Sequence, residues 1–137
     1  MKLDSRIHYH DVEGGSNNPA IRLELAEICA VKSCMVLSDS DHSYEHTFPE
    51  MEYYSKLVSP GQYLVVEDTN VYQWNGWTNI YDKDETAAKR GPMEAANDFA
   101  QGHPEFARTD WCTGLHGLTQ QPNGWFYRTN RSEQQRV

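Results

Sequence analysis

The sequence predicts an α/β domain built on a mostly parallel sheet, and two observations carry that reading. The runs SCMVL and QYLVV are almost wholly apolar and short, as strands buried on both faces are. Segments with apolar residues at helical spacing alternate with them, the order expected of strands joined by right-handed crossovers.

Each element follows in turn. Residues 7–13, IHYHDVE, read as a short strand ending at Gly14-Gly15. Ser16 or Asn17 followed by Pro19 marks a helix start with a cap and a first-turn proline. Ile21, Leu25 and Ile28 then form one buried helical stripe, and SCMVL is the next strand. In HTFPEMEYYSKLV, Met51, Tyr54 and Val58 share a helical face; Pro49 fits only in the first turn, and Ser59-Pro60-Gly61 ends the segment. QYLVVED supplies a second buried strand. GPMEAANDFAQGHPEF starts near Pro92, buries Met93, Ala96 and Ala100, and stops at Gly102 and Pro104. FARTDWC and GLTQQ…GWFYR lean towards strand, with Pro122-Asn123-Gly124 as turn chemistry. Residues 69–90 lack apolar periodicity and read as a long loop. Its Tyr72, Trp74, Trp77 and Tyr81 either line a pocket or pack the loop on its own domain. Residues 130–137 are a polar tail expected to be disordered.

At 137 residues the chain has the size of one domain. A net charge of -8 argues against nucleic acid or an anionic membrane as partner, since phosphate binding depends on Lys and Arg. No apolar run approaches the roughly 20 residues that span a bilayer, and MKLDSRIHYHD lacks the apolar stretch of a secretory signal, so a cytoplasmic location is expected. Cys29, Cys34 and Cys112 are odd in number and outside any CxxC spacing, so Cys29 and Cys34 are expected to be small buried apolar residues rather than a disulfide or zinc site.

The chemistry concentrates at two strand ends. Ligands of open α/β sheets gather at the carboxyl ends of strands. Asp39 and Asp41 follow one apolar run and Glu67 and Asp68 the next, so two acidic clusters should meet on one rim. Converging carboxylates repel unless protonated or bridged, and a hard divalent cation is the usual bridge. Taken singly, each cluster also fits helix capping: Asp41 or Ser43 would cap the helix that follows. His42 is a candidate base or ligand because histidine titrates near neutrality, whereas His46 fits a structural role. His8 and His10 share a strand face with no third ligand in view, and His103 and His116 give no signal.

DSDHSYEH, then Glu50 and Tyr54, LVSPGQYLVVEDT, GPMEAANDF and a closing QPNGWFYR occur in an order that resembles the cephalosporin hydroxylase and rhamnosyl O-methyltransferase family. That family belongs to the class I S-adenosylmethionine-dependent methyltransferases. The resemblance implies a partial Rossmann-like sheet, mostly parallel with an antiparallel C-terminal strand. It also implies a magnesium ion held by Asp39, Glu67 and Asp68, and methyl transfer from S-adenosylmethionine to a hydroxyl of a small molecule or sugar. Asp39 and His42 are the implied catalytic residues, and Gly15 and Ser16 the cofactor contacts. The family's glycine-rich cofactor loop and ribose-holding acid have no counterpart here, for Gly14-Gly15 lacks GxGxxG spacing. The resemblance therefore covers a C-terminal portion of the domain, without its first two strands, which belong between the IHYHDVE and SCMVL strands. It implies a chain inactive alone, completed by a complementary fragment or forming homo-oligomers through an exposed edge. Two other readings remain beside it: Asp39-Ser40-Asp41 as the DxD of a metal-dependent glycosyltransferase, and a non-catalytic metal-binding or interaction remnant.

Overall fold

Capping and proline placement explain where the helices start. In the computed structural model, which describes residues 4–71, 90–109, 119 and 121–130, helix α1 (Pro19–Val31) begins where the Asn18 side chain accepts the Ala20 amide at 2.8 Å. The cap is thus Asn18, not Ser16 or Asn17, because Gly15–Asn17 form a short 3-10 turn of their own. Helix α2 (Tyr44–Tyr54) carries Pro49 in its second turn, not its first. It is tolerated because Pro49 and Glu45, whose carbonyl loses its donor, are both exposed. Helix α3 (Pro92–Gly102) opens with the Gly91 amide bonded to Glu94 Oε2 at 2.7 Å. It buries Pro92, Ala95, Ala96 and Phe99; Met93 and Ala100 sit at the margin, so the expected face is rotated towards Phe99, its bulkiest apolar residue.

Strands β1 (Val36–Ser38), β2 (Tyr63–Val66), β3 (Phe106–Thr109) and β4 (Trp125–Arg128) form one sheet in the order β1-β2-β4-β3. β1 and β2 are parallel, and β4 runs antiparallel to both β2 and β3. This is the expected partial Rossmann-like α/β sheet with an antiparallel C-terminal strand. One face of the sheet meets α2 and α3 in a core of Met51, Val58, Leu64, Val66, Ala95, Ala96, Phe99, Phe106 and Phe126. Gly124 is required at the β2–β4 crossing: a Cβ there would lie 2.3 Å from the Val66 carbonyl oxygen, too close for any side chain.

Four expectations fail on the N-terminal side. Residues 7–13 form no strand, since nothing among the described residues pairs with them and an unpaired strand leaves its backbone groups to solvent. SCMVL is not buried on both faces: β1 is an edge strand whose Leu37 is 59% exposed. The α1 stripe is only partly covered: α1 contains no buried residue, with Ile21 and Leu25 half-buried and Ile28 exposed. Cys29 and Cys34 form a disulfide across the turn from α1 to β1, their Cα atoms 5.7 Å apart. The odd cysteine count had argued against pairing, but a helix end and a strand start bring these two within bridging distance. The expected loop from residue 72 to 89, with Tyr72, Trp74, Trp77 and Tyr81, lies outside the described residues, as do Cys112, His116 and the tail from 131.

Candidate functional site

Parallel pairing builds the site. Ser38 stands opposite Val66, and the Glu67 amide donates to the Ser38 carbonyl at 2.9 Å, so the residues after both strands emerge on one rim. Beyond β2 the chain turns at once: Asp68 has φ 51°, and the Val71 amide donates to its carbonyl at 2.9 Å. The left-handed turn brings the Asp68 carboxylate to within 3.2 Å of His42 Nε2, which lies 3.8 Å from Asp39 Oδ1. One donor atom from each of Asp39, His42 and Asp68 falls within 4.8 Å of the others. Asp39 is exposed and the other two half-buried, an open cluster rather than a closed cage.

The expected residues separate into groups. Asp39, Asp68 and His42 converge. Glu67 stands beside Asp68, but its carboxylate accepts the side-chain amide of Gln121. Asp41 is turned to the helix start, where it accepts the Ser43 amide at 2.8 Å while Thr47 Oγ1 donates to its carbonyl at 3.0 Å. The Ser43 hydrogen bonds, with smaller help from His46 and His42, hold the Asp41 carboxyl below its ordinary value. His10 faces Glu24 at 3.6 Å, and His8 is exposed.

Next to the cluster opens a cavity of about 550 Å³. Its polar lining includes Gly15, Ser16, Ser38, Asp39, Ser40 and Glu50. Its apolar lining includes the α1 stripe of Ile21, Leu25 and Ile28, together with the Cys29–Cys34 disulfide and Met35. Gly15 and Ser16, expected at a cofactor, therefore line the same cavity as Asp39. Gly15 has φ 52°, and nothing stands within 4 Å of the place where its Cβ would be. The Tyr54 hydroxyl fixes this turn by donating to the Ser16 carbonyl, and burial raises its pKa above the ordinary tyrosine value.

Two residues were missed by sequence reasoning. Glu50 is buried behind Asp39, taking hydrogen bonds from Ser38 and Ser40. Its signal was its place four residues after His46 on a helix pointing at the rim, which spacing alone does not distinguish from a surface pair. His103 lies away from the rim, bonded to Glu52 at 2.8 Å and Glu105 at 3.1 Å and stacked on Phe99. Desolvation pulls its pKa down, but the two carboxylates outweigh that and raise it above 6.5.

The fold is that of a partial Rossmann-like α/β protein, with acids gathered at the carboxyl ends of its two parallel strands. A family model described as rhamnosyl O-methyltransferase/CmcI matches residues 2–129, and the chain belongs to that family. The rhamnosyl O-methyltransferases of Mycobacterium tuberculosis (strain H37Rv) and Mycobacterium bovis (strain BCG / Pasteur 1173P2) are each 32% identical to it over 120 residues. Those alignments cover 85% of this chain and 46% of each relative, so the chain spans about half the length of the curated relatives it matches. No solved structure matches significantly. No helix among the described residues is long and apolar enough to cross a membrane.

Proposed function

We propose that the chain is part of an S-adenosylmethionine-dependent O-methyltransferase, assisted by a divalent cation and acting on a hydroxyl of a sugar or small molecule. The observation that carries this reading is the meeting of Asp39, His42 and Asp68 at the ends of adjacent parallel strands, on the rim of a cavity. Its support from relatives is the activity for which the mycobacterial proteins are named, rhamnosyl O-methyl transfer.

The residues present fit a divalent cation. Two carboxylates drawn towards one point repel unless a cation stands between them, and here they share one imidazole. Asp39 and Asp68 would hold the ion, with Glu67 joining them by giving up its bond to Gln121, or with His42 at that corner. An all-oxygen set favours magnesium, and the nitrogen of His42 admits manganese equally well. A bound cation supplies Lewis-acid activation of the acceptor hydroxyl. Where Glu67 completes the cation's ligands instead, His42, half-buried between Asp39 and Asp68, would receive the hydroxyl proton at Nε2. Gly15 and Ser16 line the same cavity as Asp39 and would contact the methyl donor. A glycine-rich loop and a ribose-holding acid would come from the remainder of a family-length protein, seated against the open edge of β1.

Calorimetry provides the test. Manganese or magnesium should bind the chain and be lost on Asp39→Asn or Asp68→Asn; absence of binding, or binding indifferent to both substitutions, would overturn the cation site. S-adenosylmethionine should bind this chain only weakly, so micromolar affinity for it alone would show that the missing elements are not needed. Methylation of a rhamnoside by the chain joined to the remainder of a relative, abolished by Asp39→Asn, would establish the reaction.

A further inference from the structure

Among the described residues Glu50 is the one charged side chain that is buried, at 3% exposure. Burying a carboxylate costs several kcal/mol unless partners compensate it, and an apolar residue would fill the same volume without that cost. Its partners show what the charge is for. Ser38 Oγ donates to Glu50 Oε2 at 2.9 Å, and Ser40 Oγ donates to the same oxygen at 2.6 Å. These serines are the residues immediately before and after Asp39. The other carboxylate oxygen faces His46 Nε2 at 3.5 Å, and that nitrogen lies 3.3 Å from Ser16 Oγ and 3.1 Å from Asn17 Nδ2. One side chain on α2 therefore grips both shoulders of Asp39 and, through His46, touches the turn that carries Gly15 and Ser16.

We propose that Glu50 is a positioning residue: it fixes Ser38 and Ser40 so that the Asp39 carboxylate projects towards His42 and Asp68. The inference rests on the cation site proposed above. Without the grip, the bonds that tie the segment from 39 to 43 to the start of α2 include those at its far end, from Ser43 and Thr47 to Asp41. Asp39 is exposed, so burial does little to hold its rotamer. Two hydroxyls converging on one oxygen make the requirement geometric, so an amide whose carbonyl occupies that position satisfies it and a methyl group does not.

The experiment compares Glu50→Gln and Glu50→Ala in manganese affinity by calorimetry, amide exchange of residues 38–43 and thermal unfolding. Glu50→Ala should weaken manganese by about tenfold or more, as loss of an outer partner of a ligand does, and speed exchange at residues 39–42. Glu50→Gln should restore both towards the parent, because its carbonyl accepts both hydroxyls. Should Glu50→Ala fail to fold, Ser38→Ala and Ser40→Ala combined with Glu50→Gln remove the same two bonds without leaving a buried charge. Unchanged manganese affinity and exchange in these variants would overturn the proposal. So would a Glu50→Gln protein as impaired as Glu50→Ala, which would make the charge rather than the grip responsible. If the parent binds no manganese, the cation reading fails by itself, and exchange at residues 39–42 then decides the role of Glu50.

Discussion

The two sides of the molecule treat the same kind of residue in opposite ways. Where α2 and α3 lie on β2 and β4, apolar residues at helical and strand spacing all find partners: Met51, Leu64, Phe99 and Phe126 are fully buried. Around α1 and β1 the patterning is equally regular, yet Leu23, Ile28, Val31, Met35 and Leu37 are exposed. Apolar periodicity records what a chain is prepared to bury, not what is present to bury it against. The first side is a finished core. The second is a face that the described residues leave uncovered.

Substitution can break this contrast or sharpen it. The largest effect belongs to Phe99→Ala, which empties the centre of the core; a loss of about 3–5 kcal/mol in urea unfolding is expected, and a loss near zero would mean the core is loose. Gly124→Ala should come next, at about 1–3 kcal/mol, because its methyl group meets the Val66 carbonyl rather than a yielding side chain. Asp41→Ala removes the carboxylate that accepts the amide of Ser43, the residue capping α2, and should cost about 1 kcal/mol at neutral pH. Because the folded carboxyl titrates below 3.8, that contribution is present above 3.8 and fades as pH falls through the lowered folded value, so parent and variant should converge in acid.

His103 offers a smaller, pH-coded effect of opposite sign. Its folded pKa is raised, so the stabilisation from Glu52 and Glu105 is complete below 6.5 and is lost as pH rises through the raised folded value. In thermal unfolding, His103→Gln should therefore lose more at pH 6 than at pH 9. A penalty independent of pH would assign His103 to stacking on Phe99 instead. The smallest effect is expected on the unfinished side, where Leu37→Ser should change stability by no more than about 0.5 kcal/mol. A cost several times larger would show that Leu37 is already covered and would erase the contrast.

The finished side was also the more legible in sequence. β2, α3 and β4 follow from short apolar runs, Pro92 and the turn at Pro122-Asn123-Gly124, because each signal is local, while the antiparallel direction of β4 came from the family resemblance. The meeting of Asp39 with Asp68 was legible too, since parallel neighbours place their carboxyl ends together whatever the loops do. What escaped depends on partners distant in sequence. IHYHDVE has the composition of a strand but no neighbour among the described residues to pair with. Cys29 and Cys34 are joined by a helix-to-strand geometry that counting cysteines does not see. Glu50 looks like an ordinary helix acid until Ser38 and Ser40 close on it, and Glu67 looked equivalent to Asp68 until the turn sent one carboxylate to Gln121 and the other to His42.

The positive φ of Asp68 has a consequence for mutational scanning of the rim. Tolerance at that position mixes two selections, one on the backbone and one on the carboxylate. Asn and Gly accept the left-handed conformation and Val and Ile resist it, so the β-branched pair will be depleted even in a screen for expression alone. Only the gap between Asp and Asn in a functional screen, both being at ease in that conformation, reads the carboxylate itself.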